Sequence, residues 1–253
     1  MSKTRRSPNV AVADLVSVRR SRRLAEIVRS GLSSRFQPIY PVGHATPFAV
    51  EGFIRGPVGN ALECPDKLFQ SARMTDMTLA LDEAAYRSVL ATFGAMRWPG
   101  KLFLNIRPST LFIPPDAVQK LRAAIVQVGL HPSQVILELT EQEPVPDAAA
   151  LRGLLDPLFD EGMELSLDDV GSGYANMRLL CELKPHFIKV DKFFVAEVAE
   201  NPTKQSVIRS LVNIACEMGA TTIAEGVERQ NDAEMAIRLG IDMMQGHLFA
   251  STI

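Results

Sequence analysis

Eight short apolar runs, most of them followed by a helical stretch, constrain this chain more than any other feature. Runs rich in Val, Ile, Leu and Phe occur at Phe36–Pro41, Ala49–Ile54, Leu102–Ile106, Val135–Leu139, Leu165–Val170, Phe187–Val190, Thr221–Ala224 and Met243–Phe249, and read as buried strands. Helical stretches lie between most of them: one or more within Pro65–Met96, then Asp116–Gly129, Ala148–Gly162, Met177–Leu183, Lys204–Gly219 and Asp232–Gly240. Pro115 before Asp116, and Gly129, Gly162, Gly219 and Gly240, supply start and stop signals in the right places. Strand–helix alternation predicts a parallel sheet wound by crossover helices, and eight strands predict closure into a barrel. The 253 residues match the usual size of one (β/α)₈ barrel, roughly 250.

One link breaks the pattern. The first two strands are joined by little more than Val42–Pro47. A parallel crossover needs roughly a dozen residues or more, so the first strand should run antiparallel to the second. The expected fold is therefore a modified TIM barrel over residues 34–253, preceded by a basic, partly helical segment, residues 1–33. That segment carries Lys3, Arg5, Arg6, Arg19, Arg20, Arg22, Arg23 and Arg29 against Asp14 and Glu26. It reads as a solvated charged face, or as an arm for an acidic protein partner. Without interleaved aromatics, and with a net charge of −2 for the chain, DNA binding is not expected.

The three cysteines, Cys64, Cys181 and Cys216, form no CxxC pair, which argues against a disulfide framework or thiolate zinc site and for a reducing, cytoplasmic setting. No apolar run approaches the roughly 20 residues that span a bilayer. The four histidines show no zinc spacing, and no Gly-x-Ser-x-Gly elbow occurs.

The chemistry concentrates at the C-terminal ends of the strands. The second run contains Glu51 and, four residues on, Arg55; the third ends in Asn105. The fourth leads into Glu138 and Glu141, the fifth into Asp168 and Asp169, and the sixth places Lys189 and Asp191 on one face. The seventh leads into Glu225 and Glu228, and the eighth carries Gln245. Any one of these acids has an ordinary reading as a helix cap or surface pair. As a set they converge on the rim where (β/α)₈ active sites are built, and acids brought together there repel unless cations sit among them. Oxygen donors favour hard cations such as Mg²⁺ or Mn²⁺, and a pair of them suits in-line phosphoryl displacement. A strand that is regular through Asp168-Asp169 would point them to opposite faces, as it would Glu138 and Glu141, so these strands must end or bulge there.

Order and spacing of Phe36-Gln37-Pro38-Ile39, Glu51-Gly-Phe-Ile-Arg55, Asn105-Ile-Arg-Pro, Glu138-Leu-Thr-Glu141, Asp168-Asp169-Val-Gly-Ser-Gly-Tyr174, Lys189-Val-Asp191, Ala224-Glu225-Gly-Val-Glu228 and Gln245-Gly246 resemble the EAL domains, bacterial cyclic di-GMP phosphodiesterases. The resemblance implies metal ligation by Glu51, Asn105, Glu138, Asp168, Asp169 and Glu225, and water activation by Lys189. It gives supporting roles to Glu141, Glu228 and Gln245, and places Gln37, Arg55 and Asp191 toward the substrate. It implies two Mg²⁺ or Mn²⁺ ions, a homodimer coupled through the Val170–Tyr174 loop, and hydrolysis of cyclic di-GMP to linear pGpG. The namesake tripeptide is here Glu51-Gly52-Phe53 rather than Glu-Ala-Leu. Gly52 loosens a strand and Phe53 adds bulk on the Glu51 face. None of these departures removes a ligand, but they motivate the alternative of a catalytically silent module, a cyclic di-GMP receptor or protein-binding regulator.

Overall fold

In the computed structural model, residues 19–29, 31–140, 143–171 and 177–249 are described. Eight strands close into a barrel in the order β1 to β8. They are β1 (Ser33–Pro41), β2 (Ala49–Arg55), β3 (Lys101–Ile106), β4 (Val135–Leu139), β5 (Glu164–Val170), β6 (Phe187–Val190), β7 (Thr221–Ala224) and β8 (Met243–Met244). β1 is antiparallel to β2, with Gln37 opposite Glu51, and antiparallel to β8, with Tyr40 opposite Met244. All other neighbours are parallel. The inverted first strand follows from the short link, as expected.

The helices are α1 (residues 19–29), α2 (Pro65–Arg73), α3 (Thr78–Met96), α4 (Pro108–Phe112), α5 (Ala117–Gln127), α6 (Ala148–Asp160), α7 (Met177–Leu183), α8 (Lys192–Val195), α9 (Pro202–Met218) and α10 (Gln230–Leu239). Their ends use the local chemistry that the sequence offers. Asn201 caps α9 by accepting hydrogen bonds from the backbone of Thr203 and Lys204, and Gly219 ends it at φ +69°. Leu24 and Ile27 of α1 are buried in the same core as the barrel helices.

Two residues per strand repeat set the layers. The outward faces, among them Val50, Leu102, Leu104, Val135, Leu137, Ile188 and Val190, pack against the helices in one large core. Inside the barrel, Ile39, Ala49, Phe103, Ile136, Phe187 and Ile223 form a separate apolar plug. One step of two residues toward the C-terminal ends carries five of the strands from that plug to a polar residue. Ala49 leads to Glu51, Phe103 to Asn105, Ile136 to Glu138, Phe187 to Lys189 and Ile223 to Glu225. On the inverted β1 the same step runs backwards, from Ile39 to Gln37.

β8 is shorter than the expected Met243–Phe249. The chain turns at Gly246, where a Cβ would lie 2.1 Å from the Val227 carbonyl oxygen. Val227 donates to the Gln245 carbonyl at 3.0 Å and accepts from Leu248 at 3.1 Å. This close backbone approach holds Gln245 at the mouth of the barrel and stops the strand.

Candidate metal centre at the barrel rim

Lys189 lies at the centre of the polar layer, 1% exposed. Its ammonium donates to Glu51 Oε2 at 3.0 Å, Glu138 Oε1 at 2.8 Å and Asp168 Oδ1 at 3.2 Å, and pairs with Glu225. Asn105 Nδ2 donates to the other Glu51 oxygen at 2.7 Å. Gln245 Nε2 donates to Glu51 Oε2 at 2.8 Å and to Gln37 Oε1 at 3.2 Å. Register explains the gathering: Gln37 pairs with Glu51, and Asn105 with Glu138, across adjacent strands.

Asp169 resolves the problem of adjacent acids. The β5–β6 register shifts between Leu167 and Val170, and Asp169 adopts a left-handed φ of +47°. The irregularity turns the second carboxylate toward the same side as the first. Asp168, Asp169 and Glu225 then each offer an oxygen within 4.8 Å of the others.

The electrostatics follow from burial. Four carboxylates, those of Glu51, Glu138, Asp168 and Glu225, share one ammonium, and Asp169 lies beside two of them. Burial, reinforced by the neighbouring carboxylates, pushes Glu138 and Glu225 well above the usual carboxylate range despite the opposing pull of Lys189. Asp169 is also raised, chiefly by burial. Glu51 goes the other way. Burial would raise it, but Lys189 and the hydrogen bonds from Asn105 and Gln245 outweigh that. For Lys189 the desolvation that would lower its proton affinity is overcome by Asp168, Glu138, Glu225 and Glu51.

The donor set fits hard divalent cations. Fully ionised, five carboxylates and one ammonium would carry four negative charges, the charge that two such ions balance. Buried acceptor oxygens also stand without a hydrogen-bond partner among the described residues: Glu138 Oε2 and Gln245 Oε1. An orphaned buried acceptor is costly, about 1–3 kcal/mol, and a cation removes that cost.

Not every expected residue joins this cluster. Arg55 ends β2, exposed at the rim. Asp191 caps α8 by accepting from the Phe193 backbone at 2.6 Å. Glu228 is 71% exposed, with His247 as a neighbour at 3.8 Å, so its carboxylate faces solvent. Glu141, and Ser172–Tyr174 of the expected coupling loop, lie outside the described residues, as do Lys3, Arg5 and Arg6.

A supporting network escaped the sequence reading. Arg107, 6% exposed, pairs with Glu143 at 2.8 Å, and Ser109 donates to the same carboxylate at 2.9 Å. The Arg107 backbone and the Thr110 hydroxyl both donate to buried Asp82 of α3. The turn after β3 is thereby tied to the loop after β4 and to α3. An arginine two residues past a rim asparagine is the signal that was there to be read.

Residues 20–252 match the family model described as EAL domain. Cyclic di-GMP phosphodiesterase RocR of Pseudomonas aeruginosa is 34% identical over 166 residues, 66% of this chain and 41% of RocR. Cyclic di-GMP phosphodiesterase PdeL of Escherichia coli is 33% identical over 127 residues, 50% of this chain and 35% of PdeL. The chain thus spans less than half the length of either relative. Among solved structures, a manganese and cyclic di-GMP complex of Klebsiella pneumoniae BlrP1 superposes with a TM-score of 0.80 at 30% identity, over 88% of this chain and 56% of that one. A calcium and cyclic di-GMP complex of the same protein matches equally well, over 89% of this chain. With a barrel closed by an antiparallel first strand and carboxylates gathered at its rim, the chain belongs to the EAL domain family.

Proposed function

We propose that this protein hydrolyses cyclic di-GMP to linear pGpG with the help of two divalent ions, Mg²⁺ or Mn²⁺. The observation that carries the reading is the gathering of five carboxyl groups around Lys189 at the C-terminal rim of a closed barrel. Glu51, Asn105, Glu138, Asp168, Asp169 and Glu225 would hold the ions, which when bound supply a water of lowered pKa and positive charge facing the phosphate.

The chain's own groups do the rest. Lys189 is fixed by carboxylates on four strands, so an N–H that a cation frees by taking one of those carboxylates would already be placed to hold a water. Cations beside the same carboxylates cancel the field that raises its proton affinity, moving it toward a value useful to a base. Gln245 and Asn105 lock the Glu51 carboxylate through both oxygens, and Gln37 holds Gln245 in turn. Arg55, exposed at the rim, suits a phosphate or guanine edge. In the reaction hydroxide from water adds to phosphorus, one P–O ester bond breaks, and the proton passes to the departing ribose oxygen. Glu141 and Glu228 are assigned support of the site, and Asp191 contact with the substrate, by family resemblance. A homodimer, and a cytoplasmic location, belong to the same reading. In the described residues no helix is long and apolar enough to cross a membrane.

The test is chromatography of cyclic di-GMP after incubation with protein and Mg²⁺ or Mn²⁺. Linear pGpG should form, vanish with chelator, and fall at least about 100-fold in Glu51→Ala and Lys189→Ala. Turnover unchanged in either variant would overturn the roles. A second reading, a silent receptor, is favoured by one observation: half-buried Phe53 on the Glu51 face of β2, where the tripeptide departs from Glu-Ala-Leu. Binding of cyclic di-GMP without turnover in any metal would select it.

A further inference from the structure

We infer that the cleft between α1 and α2 is a docking site for an acidic, extended polypeptide segment of a partner protein. The cleft encloses about 420 Å³ and is lined by Arg20, Arg23, Lys67, Leu62, Gln70 and Met74, among others. It lies on the outer wall of the domain and shares no residue with the metal centre.

Three features support this occupant. First, the cations are held in place. Leu24 and Ile27 turn the apolar face of α1 into the barrel core, at 0% and 4% exposure, so Arg20 and Arg23 project from a docked helix. Such preorganisation lowers the ordering cost of binding. Second, the cations have no carboxylate partner among the described residues. Arg23 donates to the neutral Asn60 Oδ1 at 2.8 Å, and Arg20 reaches the Met74 sulfur at 3.4 Å. Among the described residues no carboxylate pairs with Arg20, Arg23 or Lys67, and none lines the cleft. Third, the floor between the cations is apolar. Leu62, Ala61 and the 57% exposed Met74 offer a soft surface for side chains set between acids.

The same features discriminate among occupants. No aromatic lines the cleft, so stacking of nucleobases has no platform. A concave site between two helices suits a chain better than a flat lipid surface. The chain's own residues 1–18 carry Lys3, Arg5 and Arg6 against Asp14, the wrong sign for this cleft. Guanidinium groups take carboxylates through paired hydrogen bonds, which an acidic segment provides at successive residues.

The experiment uses the full chain and a fluorescein-labelled synthetic peptide of repeated Glu-Glu-Leu, read by anisotropy. Binding should weaken roughly tenfold between about 50 mM and about 300 mM salt. Arg20→Glu/Arg23→Glu should reduce affinity at least about tenfold, and Arg20→Gln/Arg23→Gln by less, with melting temperature and cyclic di-GMP hydrolysis unchanged. Arg209→Glu/Arg238→Glu makes the same charge change at exposed positions on α9 and α10, and should cost no more than about twofold. The proposal fails if both charge-reversed pairs weaken binding equally. It fails if a Gln-Gln-Leu peptide binds as tightly. It also fails if vesicles of phosphatidylcholine and phosphatidylglycerol capture the parent through Arg20 and Arg23 while the acidic peptide does not.

Discussion

Restoring the family's alanine at Gly52 should destabilise the protein. Gly52 sits in β2 on the face turned toward α3, where an added Cβ would lie 2.3 Å from Val89 Cγ1 and 3.4 Å from Phe36 Cε1. Real Cβ contacts do not approach 2.3 Å, so something must move. Val89 is 3% exposed within α3, and a β-branched side chain in a helix has one strongly preferred rotamer. It cannot swing away. Overpacking of this kind costs about 1–3 kcal/mol. Alanine returns about 0.5–1 kcal/mol by restricting the unfolded chain. The net loss for Gly52→Ala is therefore centred on about 1 kcal/mol and reaches about 2.5 kcal/mol, a fall of a few degrees in Tm for a domain of this size. Val89→Ala alone removes two buried methyls, at about 0.8 kcal/mol each plus a cavity term. Joined to Gly52→Ala it opens the space that the new Cβ needs. Urea unfolding of all four proteins gives the coupling directly. The double variant should be at least as stable as Val89→Ala. Simple additivity, or a Gly52→Ala protein as stable as the parent, would refute the steric argument.

Three further outcomes follow from the site and its supports. Mn²⁺ at about 100 times its dissociation constant should stabilise the folded state by about 2.7 kcal/mol in thermal melts, an effect abolished by chelator and largely lost in Asp169→Asn. Lys189→Met should destabilise the chelated protein by about 3–5 kcal/mol at neutral pH, because it strips the buried carboxylates of their shared ammonium, and added Mn²⁺ should recover much of that loss; a chelated variant as stable as the parent would sink the idea. Asp82 is pushed up to about 6 by burial, against hydrogen bonds from Thr110 and the Arg107 backbone. A raised carboxyl favours the folded state most below its unfolded value, near 3.8, and that contribution is lost as pH rises through about 6. Urea midpoints should therefore shift in favour of Asp82→Asn over the parent by about 2 kcal/mol between pH 4 and pH 7, whereas a pH-independent difference would contradict the burial argument.

The parts of this fold that were legible in the sequence are those set by local periodicity and chain length. The short link from Pro41 to Ala49 forces the antiparallel start, and the glycines at 219 and 240 end helices in the left-handed conformation that they favour. Acids at strand ends point to one rim because a closed barrel leaves them no other place. What was not legible depends on contacts between distant segments. The two-residue β8 ends because Val227 backbone packs on Gly246. The left-handed Asp169 reflects a register shift against β6, which no pattern within β5 announces beyond the steric need for an irregularity. α1 reads as a charged segment, yet Leu24 and Ile27 bring it into the core, since two buried side chains suffice to dock a short helix. Arg107, Glu143 and Asp82 meet only once two loops and a helix are in place.

The layering of the barrel explains how such a site is tolerated. The plug of Ile39, Phe103, Ile136, Phe187 and Ile223 lies one residue pair below the acids and is fully apolar, so the charged layer is not asked to hold the barrel together. Above it, Lys189 and the raised proton affinities of Glu138 and Glu225 offset the crowding of negative charge before any cation arrives. The apolar burial of this fold lies in its two hydrophobic clusters, unlike a small domain whose fold rests on its ion. On the proposed reading, cations would enter by displacing protons and by sharing carboxylates with Lys189, and would so loosen the contacts of its ammonium. Lys189 stands where carboxylates from four strands meet, so a single ammonium compensates charge from four sides of the barrel at once.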